Sequence, residues 1–350
     1  MNEIKYPSQK YPIINRNICV VTVTYGDRFI YLSQVISSVL DQGINKIFIV
    51  DNNSCTNSLE KLENLLIAIP DKISLIKLSK NTGSANGFKV GIETAVKEFN
   101  FIWLLDDDNK PRKKALKVLV EFWNKYDKDK ELLCLASYRE GWDVFKNSVI
   151  TRNPDGPLYS HNGFRDFHFY YYTKKLLKKI FTHNTRNSKK LNTDFGELSV
   201  VPYGGMFFHT DMLSKIGFPN PDYYLYSDDY EFSYRIRKSG GKLLLLLSSC
   251  IDNLEQSWHV NQVGPDFLKL NRLNDPMRLY YTIRNKLIFE LTEIVNNKWM
   301  YFLNMLIFTF LFICTSLIFF RFRNIFIYLE AIFDGLIRNV GENKKYRKLL

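Results

Sequence analysis

The stretch Phe101-Ile-Trp-Leu-Leu-Asp-Asp-Asp-Asn109 decides the fold. Five apolar residues run directly into three consecutive carboxylates, and Pro111 follows two positions after Asn109. The apolar run shows no alternation, which predicts a strand buried on both faces of a parallel sheet. The acids then fall where that strand ends, in the crevice at which open α/β sheets bind ligands. Adjacent carboxylates repel one another, so the cluster points to a cation. A hard divalent ion shared with a diphosphate suits such oxygen ligands. A solvated acidic turn would account for the acids alone.

Upstream, the same alternation of elements repeats. Ile18 to Thr24 is a β-branched strand ending in Tyr25-Gly26-Asp27-Arg28, and a helix follows to Gln42-Gly43. The strand Lys46–Val50 ends in the cap and turn formers Asp51-Asn52-Asn53-Ser54. A helix to Ile69, a strand from Ile73 to Leu78, the loop Asn81-Thr-Gly-Ser-Ala-Asn-Gly87 and a helix to Phe99 precede the central run. A helix over 112–126 and a strand over 132–137 come after it. This order predicts an α/β fold with a mostly parallel, helix-covered sheet whose loops converge on one edge.

Composition narrows the partners. The 350 residues are 46% hydrophobic and 24% charged, which is globular, and the formal charge of +12 calls for an anionic partner. Lys and Arg are dispersed, without zinc-finger or RNP-type spacing, so nucleic acid is not the expected partner. Five scattered cysteines without CxxC spacing suit a reducing compartment. The polar residues 1–16 carry no apolar signal core and are read as an N-terminal extension.

Beyond residue 138 the regularity fails. Residues 139–196 mix turn formers, the aromatic run Phe164–Tyr172 and the basic run Lys174–Lys179. They read as an insertion with little regular structure, either a covering flap or a face toward lipid or a phosphorylated acceptor. Order returns over 200–209, where Gly204-Gly205 permits close approach of a ligand or another backbone. Ser227 then precedes Asp228-Asp229-Tyr230-Glu231 as an expected helix N-cap with acids in the first turn. A buried strand, Lys242–Leu247, leads to Asp252, Trp258 and His259.

The C-terminal part changes character. Trp299 to Phe320 is 22 residues without a formal charge, long enough to span a bilayer. Glu330, Asp334 and Arg338 recur every four residues on an otherwise apolar helix, the pattern of an interfacial helix, ahead of the basic Lys344-Lys-Tyr-Arg-Lys348. Membrane association is expected, spanning or in-plane; a buried core helix plus a surface helix would produce similar patterns.

Taken in order, Val21-Thr-Val-Thr-Tyr-Gly26, Asp51-Asn-Asn-Ser54, Asn81–Gly87, Leu104–Asp108, Gly204-Gly205, Asp228-Asp229-x-Glu231 and Trp258-His259 resemble family 2 glycosyltransferases of GT-A fold. The galactofuranosyltransferase and rhamnosyltransferase branch is the most similar. The resemblance covers residues 17–290: a nucleotide-binding half (17–138), the insertion, and an acceptor half (197–290), with membrane-associated helices over 291–350. It implies that Thr24, Tyr25, Gly26, Asp51, Asn81, Gly83, Ser84, Gly87 and Asp106 hold the donor. It implies Asp106, Asp108 and His259 as ligands of Mn²⁺ or Mg²⁺. Asp229 matches the catalytic base, Asp228 positions the acceptor, and Gly204, Gly205 and Trp258 lie on the acceptor side. The implied reaction moves a sugar from UDP-galactofuranose, or from dTDP-rhamnose, to a lipid-linked glycan at the cytoplasmic membrane face, as in cell-surface polysaccharide synthesis (O-antigen or capsule). A binding module without catalysis and a nucleotidyltransferase are the competing expectations.

Overall fold

Strand β4 (Phe101–Asp106) lies inside the sheet, buried on both faces as its unbroken apolar run requires. The computed structural model describes residues 17–158, 161–174, 193–255 and 264–346. Phe101, Trp103 and Leu105 enter one hydrophobic core, while Ile102 and Leu104 enter the other. β1 (Ile18–Gly26) divides in the same way, with Val20 on one side and Val21 on the other. β2 (Lys46–Ser54) and β3 (Ile73–Lys77) complete a parallel half-sheet in the order β3-β2-β1-β4. Leu32 of α1 (Phe29–Leu40) and Leu62 of α2 (Thr56–Ala68) cover one face. Phe88 and Ile92 of α3 (Gly83–Ala95) cover the other.

The second half is mixed rather than parallel. β6 (Leu133–Arg139) follows α4 (Ala115–Lys125), and β8 (Met206–His209) inserts between β4 and β6, antiparallel to both. β9 (Lys242–Asn253) runs parallel to β6. A crossover helix sets the parallel direction of β1 to β4; the long segment between β6 and β8 imposes no such constraint. Asn109 to Pro111 forms the short strand β5 at the end of the strand order, where a proline costs no ladder bond. The insertion also holds more regular structure than expected. It opens with α5 (Asp143–Thr151), whose Phe145 and Val149 join the core, and closes with β7 (Phe195–Leu198), paired to β9.

Short α6 (Leu213–Ile216) and α7 (Asp228–Lys238) precede β9. After β9, four helices gather around a third core: α8 (Asp266–Asn271), α9 (Pro276–Phe289), α10 (Lys298–Ile318) and α11 (Phe322–Leu336). That core also takes in Phe164, Phe167 and Tyr224, so the expected division at residue 290 falls inside one packed unit. Among the described residues α10 is the one helix long and apolar enough to cross a membrane. The two acids of α11 differ in their surroundings. Asp334 is buried and accepts from the Tyr280 hydroxyl, and Glu330 accepts from Lys345 and Tyr346.

Candidate active site

The ends of β1, β2 and β4 meet at one edge of the sheet, beside the start of α3. A cavity of about 290 Å³ opens there, lined by Tyr25, Arg28, Asn52, Ser84, Asp106 and Asp108, with Tyr224 to Tyr226 and Arg278 opposite. Asn52 shapes its floor: the side-chain amide donates to the Gly83 carbonyl at 2.9 Å, and its oxygen accepts from the Thr82 N–H at 2.8 Å. Gly83 itself sits at φ +80°, where a Cβ would overlap the Tyr224 carbonyl oxygen. Gly83→Ala is therefore expected to cost at least ~1–3 kcal/mol of stability. An unchanged urea midpoint would contradict this account.

The three acids of the opening stretch have separate surroundings. Asp107 is buried and takes no part in the cavity's free charge: Thr24 donates to it at 2.9 Å, and Arg28 Nε reaches both its oxygens at 2.9 and 2.8 Å. This pair ties the end of β1 to the end of β4. Asp106 accepts from Arg139 Nη2 through Oδ2 only, and Asp108 accepts from Asn109 through Oδ1 at 3.1 Å. Asp108 Oδ2 lies 3.6 Å from Arg28 Nη2. Burial, with Asp106 and Asp107 adding to it, pushes the Asp108 carboxyl up to about 7.

This fits a divalent cation. Oδ1 of Asp106 and Oδ2 of Asp108 are hard donors at one cavity, and burial, then the neighbouring Asp106 and Asp107, disfavours the charged form of Asp108, a penalty that a bound cation would relieve. Two carboxylates suffice where phosphate oxygens and water complete the shell, the usual arrangement for Mg²⁺. Among the described residues no third His, Cys, Asp or Glu joins them. His259 and Trp258 lie outside the described residues.

The second acidic pair approaches from α7. Asp228 is buried and accepts from the Ser84 hydroxyl at 2.9 Å. Asp229 is only partly covered, and its Oδ1 accepts from the Tyr230 N–H at 2.8 Å. Burial pushes Asp229 up to about 6, with Asp106 also raising it and Arg139 opposing. Burial, then Asp229, holds Asp228 well above the usual carboxylate range. Ser227 does not cap α7 as its residue type suggests: its φ of +60° is left-handed and its side chain makes no cap hydrogen bond. Tyr224 and Tyr226 are left-handed as well. A segment so strained persists only when its surroundings hold it. The buried Asn285 of α9 does so, donating to the carbonyls of Tyr223 and Leu225 at 2.6 Å and of Tyr226 at 3.1 Å.

Several expected ligand residues turn out to build the frame. The hydroxyl of Thr24 is used by Asp107, and Gly26 ends β1 at φ +56°. Asp51 accepts from the Ser54 N–H at 2.8 Å as a turn former, so its neighbour Asn52 is the residue at the cavity. At Gly87 a Cβ would press into Val23, so this glycine seats α3 on β1. The Gly204-Gly205 pair makes room for a side chain: a Cβ on Gly204 would overlap Asn109 Oδ1 and the Arg139 guanidinium, whose Nε donates to the Gly204 carbonyl at 3.2 Å. Gly205 N–H donates to the Leu104 carbonyl at 2.7 Å. Tyr25, Asn81, Gly83, Ser84, Asp106 and Asp108 do line the cavity. Arg28, Arg139 and Asn285 carry no motif; the position of Arg139 at a strand end was the one cue to it.

The profile of Glycosyl transferase family 2 matches residues 19–216. Among solved structures, GalNAc-T7 with UDP, GalNAc and Mn²⁺ is similar at 17% identity and a TM-score of 0.51, over 78% of this chain and 48% of that one. TarS of S. aureus aligns at 14% identity and a TM-score of 0.45, over 81% of this chain and 41% of that one. This chain thus spans less than half the length of both. A comparison with curated protein sequences finds no match.

Proposed function

The chain belongs to glycosyl transferase family 2, and from that premise we propose that it is an inverting glycosyltransferase acting on a nucleotide diphosphate sugar. One observation carries the proposal. A partly accessible carboxylate, Asp229, held up at about 6, shares its electrostatic surroundings with Asp106 at the ends of the parallel strands. A general base works best near the pH at which it operates, and this one stands on a different element from the acids that suit a cation.

In this reading Tyr25, Asn52, Asn81 and Ser84 hold the nucleotide, and Arg28 and Arg278 offset the charge of its diphosphate. A divalent ion held by Asp106 and Asp108, with His259 as a further ligand, would neutralise the leaving diphosphate. Asp229 takes the proton of an acceptor hydroxyl as that oxygen bonds to the anomeric carbon. The bond from that carbon to the diphosphate oxygen breaks on the opposite face, so the configuration inverts. Asp228, fixed through Ser84, and Asn285, bonded to the carbonyls of Tyr223, Leu225 and Tyr226, position Asp229. Asn285→Leu removes the donor to those carbonyls, and a displacement of about 1 Å can cost ~10²-fold in rate. The expected result is a fall in kcat of up to that size with nucleotide affinity retained; an unaltered kcat would reject the positioning role.

The finer reading places the chain in the galactofuranosyl- and rhamnosyltransferase branch, with a lipid-linked glycan as acceptor. UDP-galactofuranose is the first donor to test and dTDP-rhamnose the second. Nucleotide release from a panel of sugar nucleotides, with purified protein and added Mn²⁺ or Mg²⁺, tests both levels. Release from one of these two donors supports the branch, release from another donor supports transfer alone, and release from none overturns the proposal.

A further inference from the structure

Helices α10 and α11 are built outside-in. On α11 the side chains that recur every three or four residues toward solvent are Phe322, Phe326, Leu329, Phe333 and Leu336, with Phe326 at 73% and Phe333 at 60% exposure. Of its acids, Asp334 points into the protein, and the partly exposed Glu330 is tied up by Lys345 and Tyr346. On α10 the same spacing exposes Trp299, Leu303, Leu306, Phe310 and Leu317. A soluble surface helix shows the reverse arrangement. Most of the exposed large apolar side chains among the described residues fall between 299 and 340, and a contiguous patch of that kind marks an interaction surface.

The rim identifies the partner. Exposed Lys298, Arg321, Arg323 and Arg338 carry the formal charge of this face, while Glu330 is paired with Lys345 and Asp334 is buried. The face is therefore apolar with a cationic edge. Tyr170, Tyr171 and Tyr172 are exposed beside the start of α10, where the Phe169 N–H donates to Asn304 at 2.9 Å. Tyrosine and tryptophan at the margin of an apolar face, with Lys and Arg beside them, match the headgroup level of a bilayer. The inner side of α10 is bound to protein throughout. Asn304 donates to the Asn162 carbonyl at 2.9 Å, Thr309 bonds the Tyr328 hydroxyl at 2.8 Å, and Ser316 donates to Asn271 at 2.5 Å. A helix spanning lipid would give up these partners, whereas one lying in the plane keeps them.

We propose that the outward faces of α10 and α11, with residues 169–172, dock in-plane on an anionic phospholipid surface. The proposal does not depend on the transferase reading, since docking needs no sugar nucleotide. The two are linked by α9, whose Asn285 holds the strained loop and whose other residues pack in the core beneath the docking face.

The test uses the full chain and phosphatidylcholine vesicles with and without phosphatidylglycerol. Sedimentation with the anionic vesicles and release at alkaline pH are expected. Phe326→Ser with Phe333→Ser should weaken partitioning at least ~10-fold. Arg321→Ser and Arg323→Ser should each weaken it roughly fivefold. Brominated phosphatidylcholine should quench emission through Trp299 in the unaltered chain, which requires no variant. Failure to bind anionic vesicles overturns the proposal, as does equal binding by the phenylalanine variants. Retention on the vesicles at alkaline pH would mean a spanning helix and overturns the in-plane reading. An oligomer dispersed by the phenylalanine variants, without vesicle binding, would assign the face to a second copy instead.

Discussion

Asp229→Asn is expected to lower turnover by about 10²–10⁴-fold while nucleotide affinity is retained, the range typical for loss of a general base. The amide keeps the size of the side chain and can still accept from the Tyr230 N–H, but it cannot take up the acceptor proton. The unaltered enzyme should show kcat/KM falling as pH drops through about 6, because that is where burial has moved this carboxyl and protonation removes the base. The variant should lack this acid limb. Stability should move the other way. A carboxyl whose folded value lies above its unfolded value, ~4 for Asp, destabilises the fold as pH rises through about 6 and not below ~4. Asp229→Asn is thus expected to melt no lower than the parent at pH 7, and higher if other contacts hold. Near-normal turnover would remove Asp229 from the base role; loss of turnover together with a lowered melting temperature would point to a folding defect.

Thorough chelation is expected to abolish transfer, and Mn²⁺ or Mg²⁺ to restore it. Asp106→Asn and Asp108→Asn should each weaken the binding of Mn²⁺, read directly by its electron paramagnetic resonance, by more than the ~10–100-fold usual for an outer-shell partner. The effects should differ in kind. Asp106→Asn also leaves the buried Arg139 without its carboxylate and should lower stability, whereas Asp108→Asn removes a carboxyl held near 7 and should not. Unchanged activity after chelation would end the metal role of this pair. Unchanged Mn²⁺ affinity in both variants would do so without reference to activity.

Local pattern accounts for what the chain reveals unaided. Phe101 to Leu105 is apolar without a break because both faces of β4 are covered, and that requirement acts on each residue separately. The alternation of strands and helices through residue 126 follows from the same short-range rules, and so does the placing of acids at a strand end. Ser227 shows where such rules stop. Its residue type predicts a cap, but the carbonyls that Asn285 holds, nearly sixty residues away, go with a left-handed backbone instead.

Alternation after a strand already sets Asp107 apart from Asp106 and Asp108, but only the tertiary structure gave each of the three acids its partner. Sequence order makes them neighbours, yet Arg28 engages Asp107, Arg139 engages Asp106, and Asp108 is left with an elevated carboxyl. It also decided that Gly204 accommodates an arginine, and which side of α11 faces out. A helical pattern specifies that two faces differ, and the direction each one takes is set by what the helix packs against. In α11 that partner is α9, whose Tyr280 binds Asp334 and leaves the phenylalanines outside. Charge pairing and packing of this kind act between residues distant in the chain, so they become visible only when the fold brings those residues together.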